Sequence, residues 1–202
     1  MSERGAQLYL ASTSPRRQTL LSRMGIVFER LPNEVVEVVR PHETPKETVV
    51  RLAIEKAEAG WHHTERCHDR PVLGADTVVV LGEQLFGKPS SSDDGIRMLT
   101  ALAGNTHEVC SALALKQDAK IVTRLSVSRV TFAPLSDEEI AAYWESGEGL
   151  DKAGAYALQG IGECFVTAIQ GSYSGIMGLS LSDCRDALKE FGIEVALHGK
   201  VD

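Results

Sequence analysis

The segment VLGADTVVVL, residues 72–81, has the make-up of a buried β-strand at every position but its fifth and its threonine. Aliphatic and β-branched residues in an unbroken run suit a strand covered on both faces. Asp76 does not. An ionised carboxylate in such a strand costs several kcal/mol unless it is paired, hydrogen-bonded or metal-bound. Asp76 is therefore half of a structural ion pair with Lys or Arg, or it stands at a cleft as a metal ligand or general base. The strand alone leaves both readings open.

On either side of this strand the chain alternates strands and helices. QLYLA (7–11) reads as a strand. STSP then opens a helix from Pro15 to about Met24, with Ser14 at the N-cap and Gly25 as the stop. IVFERL is a second strand. Thr44-Pro45-Lys46-Glu47 is a capping box that starts a helix ending near Gly60. Beyond Leu81, a helix is predicted near Asp93–Ala103. THEVCSALALK and KIVTRLSVSRVTF then form a hairpin about QDAK. Ser136 to Glu139 is a second capping box, opening a helix to about Ser146. ECFVTAIQG is a strand, and a last helix near Leu181–Phe191 stops at Gly192. Because hairpins interrupt the alternation, the fold class is α/β with a mixed sheet and helices on its faces.

The totals suit a soluble globular protein of one domain or two small lobes. The chain has 202 residues, 43% hydrophobic and 24% charged. Its N-terminus shows no signal-peptide run, and no apolar stretch approaches a membrane span. Cys67, Cys110, Cys164 and Cys184 are scattered without a C-x-x-C pair, so a reduced, cytoplasmic setting is expected. A net charge of −7 argues against a nucleic-acid partner, but not against a polyanionic small molecule met by a local cluster of cations.

Other residues also break their local pattern. Val49, Leu52, Ala53 and Lys56 share one helix face, so Lys56 either snorkels over the core or delivers an ammonium to a site beside the sheet. Arg16 and Arg17 occupy a helix's first turn, where positive charge opposes the dipole. An anion there would reverse that sign, with Ser12, Thr13 and Ser14 adding hydroxyl donors; the plainer reading is a solvated pair of arginines. GEQLFGKP (82–89) nearly matches a phosphate loop, but Pro89 replaces the metal-binding Ser or Thr and the segment reads as a hairpin tip. A P-loop is rejected, which leaves Lys88 as an exposed cation. DKAGAYALQG (151–160) suggests a loop close to a ligand, with Gln159 suited to a nucleobase edge; its plainer reading is a surface turn. HHTERCHDR (62–70) has no standard zinc spacing and reads as a solvated loop.

Taken in order, LASTSPRRQTLL, RLAIEKA, LGADTVVV, GKP, DKAGAYALQG and GSYSGIMGL resemble the Maf family of nucleoside triphosphate pyrophosphatases over about residues 8–191. The resemblance implies a single Maf-like domain over residues 1–202. It would have an elongated mixed sheet and two lobes about a deep cleft, similar to the inosine triphosphatase (Maf/Ham1) fold. It implies hydrolysis of a nucleoside triphosphate to the monophosphate and pyrophosphate with Mg2+ or Mn2+, and it resembles the subgroup acting on dTTP and UTP. By motif position Asp76 matches the catalytic acid. Arg16, Thr77 and Gln159 match specificity positions, and Ser12, Glu37, Lys56 and Lys88 match the other polar cleft residues. Glu37 and Asp76 are the implied metal ligands, and a homodimer is the implied assembly. The usual acidic pair after the second strand reads VVE here, leaving Glu37, with Glu34 three residues earlier. In the late motif Gly175 replaces Asn and Ser180 replaces Pro, a change expected to loosen the start of the last helix. The alternative function is a non-catalytic nucleotide-binding regulator of septum formation and cell division.

Overall fold

The computed structural model describes residues 5–32 and 35–195, so Glu34 lies outside the described residues. The elements are β1 (Leu8–Ala11), α1 (Pro15–Arg23), β2 (Phe28–Arg30), α2 (Pro45–Trp61), β3 (Val72–Leu81), β4 (Gln84–Phe86), α3 (Ser92–Leu102), β5 (Thr106–Gln117), β6 (Lys120–Phe132), α4 (Asp137–Glu145), β7 (Val166–Gln170), α5 (Tyr173–Ile176) and α6 (Leu181–Lys189). They form a mixed α/β fold on a seven-stranded sheet ordered β2-β1-β3-β5-β6-β7, with β4 pairing β3. β1 is parallel to β2 and β3, whereas the β3–β4 and β6–β7 pairs are antiparallel.

Local chemistry explains the boundaries. Both capping boxes form: the Thr44 and Ser136 side chains accept the N–H of Glu47 and Glu139, whose carboxylates return to the cap N–H groups. Gly25 and Gly192 end their helices at φ of 69° and 70°. A two-residue turn at Gly82-Glu83 joins β3 to β4, as the rejected phosphate loop requires. Two expectations are corrected. Ser14 occupies the α1 N-cap but makes no side-chain capping bond, and its N–H donates to Ser12 Oγ at 3.2 Å. Ser180 does not loosen α6: it is buried and its hydroxyl accepts the N–H of Asp183 at the helix start.

The chain divides into two compact units. The first comprises residues 1–76, 111–125 and 178–202, and the second residues 77–110 and 126–177. In the first, Tyr9, Ala11, Leu31 and Val72 form a core cluster with Trp61 against it. In the second, Phe86, Leu99, Phe132, Tyr143, Tyr156 and Phe165 belong to one buried cluster. No helix among the described residues is long and apolar enough to cross a membrane.

Candidate active site

In the first unit, the packing of α2 on β3 decides which side chains meet. Gly60 faces Ala11 and Val72, where an added Cβ would fall 2.8 and 2.7 Å from side-chain carbons. Gly74 lies closer still: a Cβ there would be 2.3 Å from the Ala53 carbonyl oxygen and 2.4 Å from the Ala57 nitrogen. Side chains two apart on a strand share a face. Asp76 therefore follows Gly74 onto the α2 side, at the helical turn that carries Lys56.

There the pattern-breaking residues meet. Lys56 and Asp76 are 6% and 5% exposed. The Lys56 ammonium donates to Asp76 Oδ1 at 2.5 Å and to Glu37 Oε1 at 2.6 Å. Lys56 is thus no snorkelling surface lysine. It neutralises a carboxylate that burial alone would make costly. The bridge also brings Glu37, more than thirty positions away in sequence, to the Asp76 site.

Arg17 joins the same neighbourhood. Its Nε donates to the Gly178 carbonyl at 2.9 Å and its guanidinium donates to Ser12 Oγ at 3.3 Å. Burial lowers its pKa from the ordinary value, an effect opposed by the charge of Asp76, reinforced by Arg16 and opposed again by Glu37. The reading of Arg16 and Arg17 as a solvated pair therefore fails for Arg17. Its position was legible: Arg17, Leu20 and Leu21 have i, i+3, i+4 spacing, which turns Arg17 toward the buried face. Arg16 is half-buried in the first turn of α1, and Ser12 is buried.

In the second unit, Thr77 is half-buried and follows Asp76 directly, so strand alternation sends their side chains to opposite faces. Lys88 is exposed in the bend after β4. The Gly87 carbonyl before it accepts the N–H of Gly154 at 3.0 Å, which ties the GKP bend to the DKAG segment. DKAGAYALQG is not a mere surface turn. Ala155, Tyr156, Ala157 and Leu158 are buried, Tyr156 meets Phe132 edge to face at 4.8 Å, and its hydroxyl shares a 2.9 Å hydrogen bond with His107 Nε2. Gln159 emerges from this packed run as an exposed residue. His62, Cys67 and His68 are exposed, and the described residues hold no cluster of three or more His, Cys, Asp or Glu able to bind a metal ion.

The donor set nonetheless fits a hard divalent cation. Two carboxylates, Glu37 and Asp76, converge on one cation, the Lys56 ammonium. Mg2+ is commonly bound by one or two carboxylates, with phosphate oxygens and water completing the shell.

A family model described as Maf-like protein matches residues 7–191. The chain is 48% identical over 195 residues to a protein of Shigella dysenteriae serotype 1 named dTTP/UTP pyrophosphatase, covering 96% of each chain. It is 47% identical to a protein of the same name from Alkalilimnicola ehrlichii, over 95% of this chain and 96% of that one. A Shigella flexneri relative, 48% identical with 96% of each chain covered, is named nucleoside triphosphate pyrophosphatase. The solved structure of the Staphylococcus aureus Ham1 protein aligns at a TM-score of 0.41 and 14% identity, covering 62% of this chain and 71% of that one.

Proposed function

The chain belongs to the Maf-like family, and from that membership we propose that it hydrolyses nucleoside triphosphates, dTTP and UTP foremost, to the monophosphate and pyrophosphate. The observation that carries this reading is the Glu37–Lys56–Asp76 bridge in a chain so similar to proteins named as such enzymes. Those names also weigh against a purely regulatory, non-catalytic role.

A triphosphate brings about four negative charges near neutral pH, and these must be offset before water can attack. In our assignment Arg16, Lys56 and Lys88 supply fixed positive charge, and Ser12 adds a hydroxyl to the phosphate-binding end of α1. Pyrophosphate leaves only if water attacks the α-phosphorus. Asp76 orients that water and accepts its proton, a contribution typically worth ~10²–10⁴ in rate. Fixed charge around the phosphates supplies the larger share. Asp76 and Glu37 would hold a divalent metal, Mg2+ or Mn2+, which when bound offsets phosphate charge and lowers the pKa of coordinated water. Thr77 and Gln159 recognise the base, where a glutamine can both donate and accept. A cytoplasmic homodimer belongs to the same proposal.

The test is a product assay on dTTP, UTP and GTP with Mg2+ and with Mn2+, run on the natural protein and on Asp76→Asn. Pyrophosphate should appear, fastest from dTTP and UTP, and Asp76→Asn should reduce turnover by ~10³-fold or more with an unchanged fold. Orthophosphate as the product, or natural rates in Asp76→Asn, would overturn the assignment.

A further inference from the structure

The turn that presents Gln159 is tied on its far side to a carboxylate and on its near side to a tyrosine hydroxyl that donates to that carboxylate. Glu148 lies between α4 and the DKAG segment, in the second unit like Gln159. Its Oε2 accepts the N–H of Ile161 at 2.8 Å, and its Oε1 accepts the N–H of Gly162 at 3.0 Å. Oε1 also accepts the Tyr143 hydroxyl at 3.0 Å. That hydroxyl accepts in turn the N–H of Ala157, again at 3.0 Å. The donors at 157, 161 and 162 bracket Gln159, so both limbs of its turn close on one hydrogen-bonded pair.

The glycines around the turn point the same way. A Cβ on Gly160 would lie 2.0 Å from Glu148 Oε2, and one on Gly162 would lie 2.6 Å from the Ala157 carbonyl and 3.0 Å from the Tyr143 hydroxyl. The carboxylate and the hydroxyl thus occupy the space that side chains would need. Tyr143 is itself immobilised: it is 3% exposed and packs edge to face on Phe165 at 5.0 Å. Burial alone would raise the Glu148 pKa. The N–H groups of Gly162 and Ile161, with the Tyr143 hydroxyl, outweigh that and hold it below the usual range, so Glu148 is ionised at neutral pH. Hydrogen bonds from N–H groups to an ionised acceptor are roughly twice as strong as neutral ones.

We propose that Glu148, acting with Tyr143, is the positioning residue that sets the Gln159 turn and so the discrimination between bases. This rests on the reading of Gln159 as the base contact. Neither residue touches the reacting atoms in this assignment, so their loss is felt in binding and selectivity before turnover.

The experiment measures kcat and KM for dTTP and GTP in the natural protein, Glu148→Gln, Tyr143→Phe, Gln159→Ala and the Glu148→Gln, Gln159→Ala double variant. Glu148→Gln offers one amide oxygen where the turn needs two acceptors, while Tyr143→Phe keeps the ring and removes only the hydroxyl. In Glu148→Gln we expect KM for dTTP to rise ~10-fold, kcat to change by less than ~3-fold, and the dTTP-to-GTP ratio of kcat/KM to fall ~10-fold. Tyr143→Phe should move the ratio the same way, and it carries the test alone if Glu148→Gln does not fold. The double variant should lose no more selectivity than Gln159→Ala, since Glu148 acts through that residue. If Gln159→Ala lowers the ratio while Tyr143→Phe and any folded Glu148→Gln leave it unchanged, the positioning role is overturned and the base contact stands. Additive losses in the double variant overturn it as well. If no variant moves the ratio, the base contact itself is wrong, and the proposal falls with it.

Discussion

Asp76 shows how far one residue can be read. Its composition-breaking place in β3 left a structural ion pair and a functional carboxylate as equal readings. The geometry supplies the ion pair, with the Lys56 ammonium 2.5 Å away, and adds a second carboxylate, Glu37, on the same ammonium. An ion pair built only for stability gains little from a third charged group exposed at 42%. His107 is the other buried polar residue of consequence. It is 1% exposed, its Nδ1 has no hydrogen-bond partner, and burial lowers its pKa to about 4. Its unfolded-state pKa is about 6.5. Because the folded value is depressed for a base, its stabilising contribution is full above about pH 6.5 and is lost as pH falls toward about 4. Between pH 7.5 and pH 5 this one residue should cost about 2 kcal/mol of unfolding free energy. Urea unfolding at the two pH values measures it. In His107→Gln the difference between them should shrink by about that amount, and an equal difference in both proteins would contradict it.

The elements most plainly written in the sequence are those whose ends carry their own chemistry. α2 and α4 begin at capping boxes and α1 and α6 end at left-handed glycines, so a few local residues fix each boundary. The segment from Asp151 to Phe165 was far less legible. Its glycines and small residues signal a turn, yet Ala155 to Leu158 are core, because Tyr156 packs edge to face on both Phe132 and His107, partners distant in sequence. Glu148 was missed for the same reason: its partners are backbone N–H groups, which no side-chain pattern reveals. Its one trace is the glycine pair at 160 and 162. Gly74 tests the α2–β3 contact directly. Alanine there would drive its Cβ into the backbone of Ala53 and Ala57. Overpacking a fixed contact of this kind costs about 3 kcal/mol. Gly74→Ala should therefore lower the urea midpoint clearly and, by shifting the helix that carries Lys56, lower turnover too. An unchanged midpoint would show that α2 does not pack as described.

Across the whole molecule, the seven-stranded sheet was foreseeable as a mixed α/β assembly, but its strand order was not. β3, β5 and β6 each give residues to both compact units, so long strands that read as single elements belong to two bodies. The proposed residues divide accordingly: Ser12, Arg16, Glu37, Lys56 and Asp76 lie in the first unit, and Thr77, Lys88 and Gln159 in the second. The net charge of −7 carries no trace of the Glu37–Lys56–Asp76 cluster, because a local arrangement of charges leaves no mark on the total. If the Asp76 cluster directs water to the α-phosphorus of a nucleoside triphosphate, the oxygen of that water ends in the monophosphate. Turnover of dTTP in heavy-oxygen water, followed by mass spectrometry of the products, tests it in one step. The label is expected in the nucleoside monophosphate and not in pyrophosphate; label in pyrophosphate or in orthophosphate would rule out attack at the α-phosphorus.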